Sequence, residues 1–158
     1  MRALDVARHF LFLARSFDAG DTISNLKMQK MLYYAQGWHF AYFGIELFGD
    51  EIEAWKHGPV IKTIYDKFKK YGSNSISFDE LEEYSTKPDE KTAEFLYFIF
   101  KKLSAYPAWE LADKTHCEAP YLDNYNKAVT NIIPKEQIKA FFIEEFKKEI
   151  KSYSNELC

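Results

Sequence analysis

Groups able to transfer protons or attack as nucleophiles are sparse in this chain, and their spacing decides what chemistry is open to it. Of 158 residues, four are histidine and two are cysteine. His9, His39, His57 and His116 show no metal-ligand spacing, and no H-E-x-x-H pair occurs. A glycine-rich phosphate loop and a G-x-S-x-G elbow are also missing. Cys117 is the sharpest nucleophile candidate, with a distant histidine as its base. His116 does not fill that role, since adjacent side chains point apart. A lone cysteine is far more often a small buried hydrophobe, and burial is the expectation for Cys117. His57 and His116 each occupy a turn beside a proline-containing segment. With Glu118 they would make a His–carboxylate pocket suited to acid–base work. The favoured alternative is that each imidazole satisfies backbone groups at an element boundary. No catalytic residue, metal site or cofactor is assigned.

The elements that hold these residues must be built from an unusual composition. The chain has 14 Phe, 11 Tyr and 3 Trp, slightly more than its leucine, isoleucine and valine combined. So many large apolar side chains exclude disorder, and most of them must be inside. A net charge of −3 and a pI near 5.8 argue against a general phosphate-backbone binder. Lys62, Lys67, Lys69 and Lys70 read as a solvated helix face, since no aromatic stacking motif accompanies them. Direct nucleic-acid binding is not expected. Cys117 and Cys158 give no disulfide framework, and neither a signal peptide nor a bilayer-length apolar run is found. A cytoplasmic protein without a membrane role is the expectation.

Hydrophobic periodicity predicts a mainly α, single-domain helical fold with a small β-hairpin. The domain is expected over residues 1–151, with 152–158 as a frayed tail. The first helix runs from Ala3 to Phe17, with Asp5, Arg8, His9 and Arg15 largely opposite its apolar face. Asp18-Ala19-Gly20-Asp21 breaks it. The second begins at Ser24 as N-cap, with Ile23 and Met28 as a hydrophobic staple, and stops at Gly44. It is apolar on two faces and hence central, and Gly37 within it permits the close approach of a neighbour. Gln29 and Gln36, seven residues apart on it, need hydrogen-bond partners if buried.

The stretch from Ile45 to Trp55 reads as two short strands turning at Gly49-Asp50. His57-Gly58-Pro59-Val60 then ends the hairpin and opens a helix with Pro59 at its first position, carrying Val60, Ile61, Ile64, Tyr65 and Phe68 inward. A polar connection over 73–87 includes a short turn at Asp79 to Tyr84. A second central helix opens at Pro88 or Asp89. Short pieces follow at Pro107 to Lys114 and Tyr121 to Ala128, and a last amphipathic helix spans Pro134 to about Lys151. Phe40, Tyr42, Phe43, Phe48 and Trp55 crowd one region beyond what a small hairpin covers. Phe43, Phe48 and Trp55 are therefore expected to stay partly exposed and to mark an interaction surface.

The run from Ile23 to Trp38 (ISNLKMQKMLYYAQGW), with Leu47-Phe48, Glu53-Ala54-Trp55 and Gly58-Pro59-Val60, strongly resembles the Panacea domain. That family includes SocA-like antitoxins and phage-associated GepA-like proteins. Tyr65, Phe68 to Gly72, Thr115-His116 and Pro120 extend the likeness to roughly Leu4–Tyr125. Met28 and Met31 replace the usual leucines, Tyr121 stands where a tryptophan is common, and Ala112-Asp113-Lys114 is atypical. The resemblance implies an antitoxin of a toxin–antitoxin system, not an enzyme, that neutralises a cognate toxin by direct protein binding. It leaves open an adaptor that delivers the toxin to an ATP-dependent protease, and self-association as a homo-oligomer. The DNA-binding domain that some members carry is not expected here. On this basis Phe43, Phe48, Trp55, His57, Gly58, Thr115 and His116 are the candidate partner-binding residues. Leu26, Gln29, Tyr33, Tyr34, Gly37, Trp38, Pro59, Val60 and Tyr65 are motif residues expected in the core.

Overall fold

Helix α2, from Asn25 to Phe43, organises the fold, and its ends follow from local chemistry. The Ser24 hydroxyl accepts the Lys27 amide at 3.2 Å, and Ile23 and Met28 are both buried beside it. Gly44 closes the helix at φ 75°, its amide bonded to the Phe40 carbonyl. From Lys27 to Phe40 every residue of α2 is buried. The computed structural model describes residues 1–17, 22–126 and 131–156 and is mainly α-helical with one two-stranded antiparallel hairpin.

Around α2 pack α7 (Lys135–Glu156), α5 (Ala108–Thr115), α4 (Glu90–Leu103) and α1 (Ala3–Phe17). Gly37 gives α7 its close approach: a Cβ there would overlap the Phe142 ring. Helix α7 continues past Lys151 to Glu156, and its outer end is less buried than the periodicity implied, with Ile150 half-exposed. Helix α4 starts as expected, with Asp89 accepting the Thr92 amide at 2.8 Å. It is a flanking helix rather than a central one, for Tyr97 and Phe98 stay exposed.

The polar side of α1 is solvated only at Arg15 among the four residues assigned to it. Asp5, Arg8 and His9 are buried because the 73–87 connection folds over them, with a 3-10 turn at Phe78–Glu83. Arg8 reaches Glu83 at 2.6 Å, and the His9 ring meets the Tyr84 hydroxyl at 2.6 Å. Phe17, expected inward, is exposed and rests against Tyr97. The expected break at Asp18 to Asp21, the end of the piece reaching Ala128, and Cys158 lie outside the described residues.

A hairpin exists, but not where turn chemistry put it. Strand β1 is Glu53–Trp55 and β2 is Gly58–Val60, so the turn falls at Lys56-His57 rather than Gly49-Asp50. Long-range bonds decide this. The Gln36 amide accepts the Leu47 and Phe48 N–H groups at 2.8 and 3.3 Å and donates to the Phe48 carbonyl at 2.8 Å. Residues 47–48 are thus paired with α2 rather than with a strand. The outer edge of β1 is taken by a third segment, with Ala54 N bonded to Asn131 O and Ile133 N to Ile52 O. Pro59 lies in β2, and α3 (Lys62–Phe68) begins three residues later than expected, capped at Ile61.

Candidate functional site

Three separated stretches meet beneath the hairpin: one face of α2, strand β2, and the end of α5 with the turn that follows it. From α2, Gln29 Oε1 accepts the Ile61 amide at 2.8 Å, while its Nε2 donates to Asn25 Oδ1 at 3.0 Å. Asn25 Nδ2 in turn donates to the Tyr65 carbonyl at 3.2 Å. One residue on, the wholly buried Lys30 donates from Nζ to the Pro59 carbonyl at 2.8 Å. The free edge of β2 is therefore held by side chains of a helix rather than by another strand.

Gly58 is required there twice over. Its φ of 111° is one that L side chains rarely adopt, and a Cβ would fall 2.7 Å from both Lys30 Cε and Thr115 Oγ1. Thr115, also wholly buried, donates to the Ala112 carbonyl at 2.7 Å. Beyond it the Tyr34 hydroxyl donates to the Glu118 carboxylate at 3.1 and 3.2 Å. The Tyr121 hydroxyl donates to the carbonyls of Trp55 and Lys56 at 2.7 and 3.2 Å, pinning the hairpin turn from below. His116 stacks on Tyr121, which stacks on Tyr125.

Burial dominates the electrostatics. Desolvation lowers Lys30 to about 7, with no carboxylate bonded to it. Desolvation also raises Glu118 to about 7, against the opposing effects of Lys114 and the tyrosine hydroxyls. Burial and Glu118 together push Tyr34 far above the usual phenol range. Lys30, Tyr34 and Glu118 are all buried, and desolvation is the largest cause of each shift. Among the described residues no three His, Cys, Asp or Glu side chains gather as metal donors.

Beside this polar core, α2, the hairpin, α3 and the residues after it line a groove of about 320 Å³. Trp55 and Tyr65 stand edge to face at 5.0 Å in its wall, with Leu26 and Val60 alongside and His57 and Lys69 at its margin.

The candidate residues divide between these two layers. Trp55 is half-buried and His57 exposed in the groove, and His116 is half-buried in the stack behind. Gly58 and Thr115 are buried, so neither offers a contact surface. Phe48, expected to be partly exposed, is 1% exposed, because the Gln36 brace draws it into the core. Phe43 is half-buried at the far end of α2, under Lys91 and against Phe95. His57, His116 and Glu118 do not converge: the first lines the groove, the second stacks on Tyr121, and the third bonds Tyr34. Cys117 is exposed rather than buried.

Of the motif residues assigned to the core, Gln29, Tyr33, Tyr34, Gly37, Trp38, Pro59 and Val60 are buried. Leu26 is only half-buried and Tyr65 is 38% exposed, both in the groove wall. Tyr65 lies outside the buried face of α3, which is Ile64 and Phe68, and packs on Trp55 instead. Lys30 was missed, although Leu26, Lys30, Tyr34 and Trp38 follow one another at intervals of four. A lysine inside an apolar helical stripe is the signal that identifies it.

Comparison with known proteins bears on the same stretches. The family model described as "Antitoxin SocA-like, Panacea domain" matches residues 28–121. Antitoxin SocA of Caulobacter vibrioides (strain NA1000 / CB15N) is 43% identical over 54 residues, which are 34% of this chain and 29% of that protein. The chain thus spans under a third of the length of this curated relative. No solved structure matches the chain.

Proposed function

This chain belongs to the SocA-like antitoxin family with the Panacea domain, and from that premise we propose that it neutralises a cognate toxin in the cytoplasm by direct protein–protein binding, with no catalytic step. The observation that carries the reading is the direction of three side chains within the matched residues. Gln29, Lys30 and Tyr121 all turn toward backbone carbonyls and amides of the hairpin or the residues next to it. They hold the turn at Lys56-His57 in one conformation before any partner arrives. Preorganisation of this kind lowers the ordering entropy lost on association, which is what a sequestering protein requires. Catalysis would instead require reactive groups converging on an open cavity.

The test is co-expression with the product of the neighbouring open reading frame. That product should arrest growth alone, grow normally with this chain, and co-purify with it. A toxic product that this chain neither rescues nor retains ends the antitoxin reading.

A further inference from the structure

The groove beside the hairpin turn has a composition that specifies its occupant. Its wall is apolar, through Leu26, Trp55, Val60 and Tyr65, yet its polar lining is one-sided: Lys56, His57 and Lys69 with no carboxylate. This is notable on a chain whose net charge is −3. Asp66, one residue beyond Tyr65, pairs with Lys62 at 2.9 Å and with Lys69 at 3.4 Å, so these three side chains together keep one net positive charge. Lys56 forms no ion pair among the described residues.

Two amides at its floor, Asn25 and Gln29, are engaged with each other, with the Tyr65 carbonyl and with the Ile61 amide. The charged donors left to a guest stand at the margin, on Lys56 and Lys69. A volume of about 320 Å³ is at the small end of the range of about 300–1,000 Å³ for small-ligand sites. It suits one large side chain inserted from a partner. Tryptophan and tyrosine in the wall are the residue types that dominate binding energy at such anchors.

We propose that this groove captures one aromatic or leucine side chain of a partner polypeptide whose flanking residues are acidic, the carboxylates meeting Lys56 and Lys69. The proposal rests on the antitoxin reading only in taking the toxin as the natural bearer of that segment.

A display library of random 12-residue peptides, selected on the full chain, tests it directly. The charge-reversed double variant K56E/K69E serves as counter-selection; both lysines are exposed, so its circular dichroism should match the wild type and its melting temperature should fall only slightly, through loss of the exposed Lys69–Asp66 pair. Enriched peptides should carry Phe, Trp or Leu between Asp or Glu residues. They should bind K56E/K69E at least about tenfold more weakly, since like charges brought together cost several kcal/mol. Their binding to the wild type should weaken with salt.

Selection of no such motif, or equal binding to both proteins, overturns the proposal. So does competition by an oligonucleotide, or self-association of the wild type that K56E/K69E abolishes, which would make a second copy of this chain the occupant. The neighbouring-gene product separates the two readings. If it is neutralised equally by both proteins, the antitoxin role stands and the groove proposal falls. If it binds neither protein while acidic peptides bind the groove, the groove stands and the antitoxin role falls.

Discussion

Replacing Gly58 with alanine tests whether the hairpin turn is held from inside. The first contribution is backbone strain: φ is 111°, and a non-glycine residue in a sparsely populated region costs about 1–3 kcal/mol. The second is overlap, because the new Cβ would stand 2.7 Å from Lys30 Cε and from Thr115 Oγ1. Both neighbours belong to side chains with no exposed surface, so neither can swing into solvent. Forcing a methyl group into a filled core costs about 1–3 kcal/mol. Together these predict a loss of about 4 kcal/mol, against a native stability of about 5–15 kcal/mol for an ordinary domain. For a chain of this length that is a fall of about 8–16 °C in melting temperature.

Urea unfolding followed by tryptophan fluorescence measures the loss, with an unchanged slope showing that stability alone has moved. Removing Thr115 Oγ1 relieves one of the two overlaps. G58A/T115A should therefore destabilise by less than the sum of the single variants, the difference being about 0.5–3 kcal/mol. A G58A midpoint indistinguishable from wild type, or strict additivity in the pair, would refute the argument.

Three further outcomes follow from the same packing. The joint contribution of Glu118 and Lys30 to stability should pass through a minimum near pH 7. It falls from pH 4.5 to 7, where the folded state holds the Glu118 proton more tightly than the unfolded chain does; it rises from pH 7 to 10.5, where only the unfolded chain holds the Lys30 proton. Each limb is worth about 3–5 kcal/mol at most, and melting curves across pH should lose the acid limb in E118Q and the alkaline limb in K30M. In G37A the new methyl group meets the buried Phe142 ring, costing about 1–3 kcal/mol, and F142L should restore much of the loss in the same unfolding assay. In Q36A the Leu47 and Phe48 amides lose their acceptor, so hydrogen exchange at these two amides should accelerate far more than at Ala54, whose acceptor is Asn131.

What could be read from the residues in advance was whatever local chemistry determines. The Ser24 cap, the Ile23–Met28 staple and the Gly44 stop lie within a few residues of what they control, and each was legible. Gly37 was legible too, because a glycine in an all-round apolar helix has few roles other than close packing. Gln29 and Gln36 were legible as amides needing partners, though not as braces for particular backbone groups. The hairpin was misplaced because Gly49-Asp50 is a strong turn signal, and nothing nearby in the chain reports that Gln36 holds Leu47 and Phe48. Phe48 was misjudged as surface for the same reason. The burial of Asp5, Arg8 and His9 was hidden because their partners, Arg2 apart, lie some 75 residues away in the 73–87 connection. Tyr65 was assigned to the core with Ile64 and Phe68, but the buried face of α3 is narrower than that, and Trp55, ten residues earlier, is what Tyr65 packs against.

The separation of inner and outer residues carries a consequence for partner choice. Lys30, Gly58, Thr115 and Tyr121 determine the backbone of the turn from below, and each is buried. Lys56 and His57 are carried on that backbone, Tyr65 on α3 and Lys69 just after it; all four are exposed, and the braces beneath them use none of these four side chains. Substitution of exposed side chains away from special packing usually changes stability by less than about 0.5 kcal/mol. The outer set is therefore free to change chemistry while the turn keeps its shape. On the antitoxin reading, specificity belongs to the outer set and competence to bind belongs to the inner one. Exchanging Lys56 and Lys69 for glutamate should alter which peptides or toxins are retained, at a melting temperature lowered only slightly by loss of the exposed Lys69–Asp66 pair. G58A should weaken retention of every partner alike and lower the melting temperature with it. If the outer exchange destabilised the fold as much as G58A does, or if G58A changed selectivity without changing stability, the two layers would not be separable in this way.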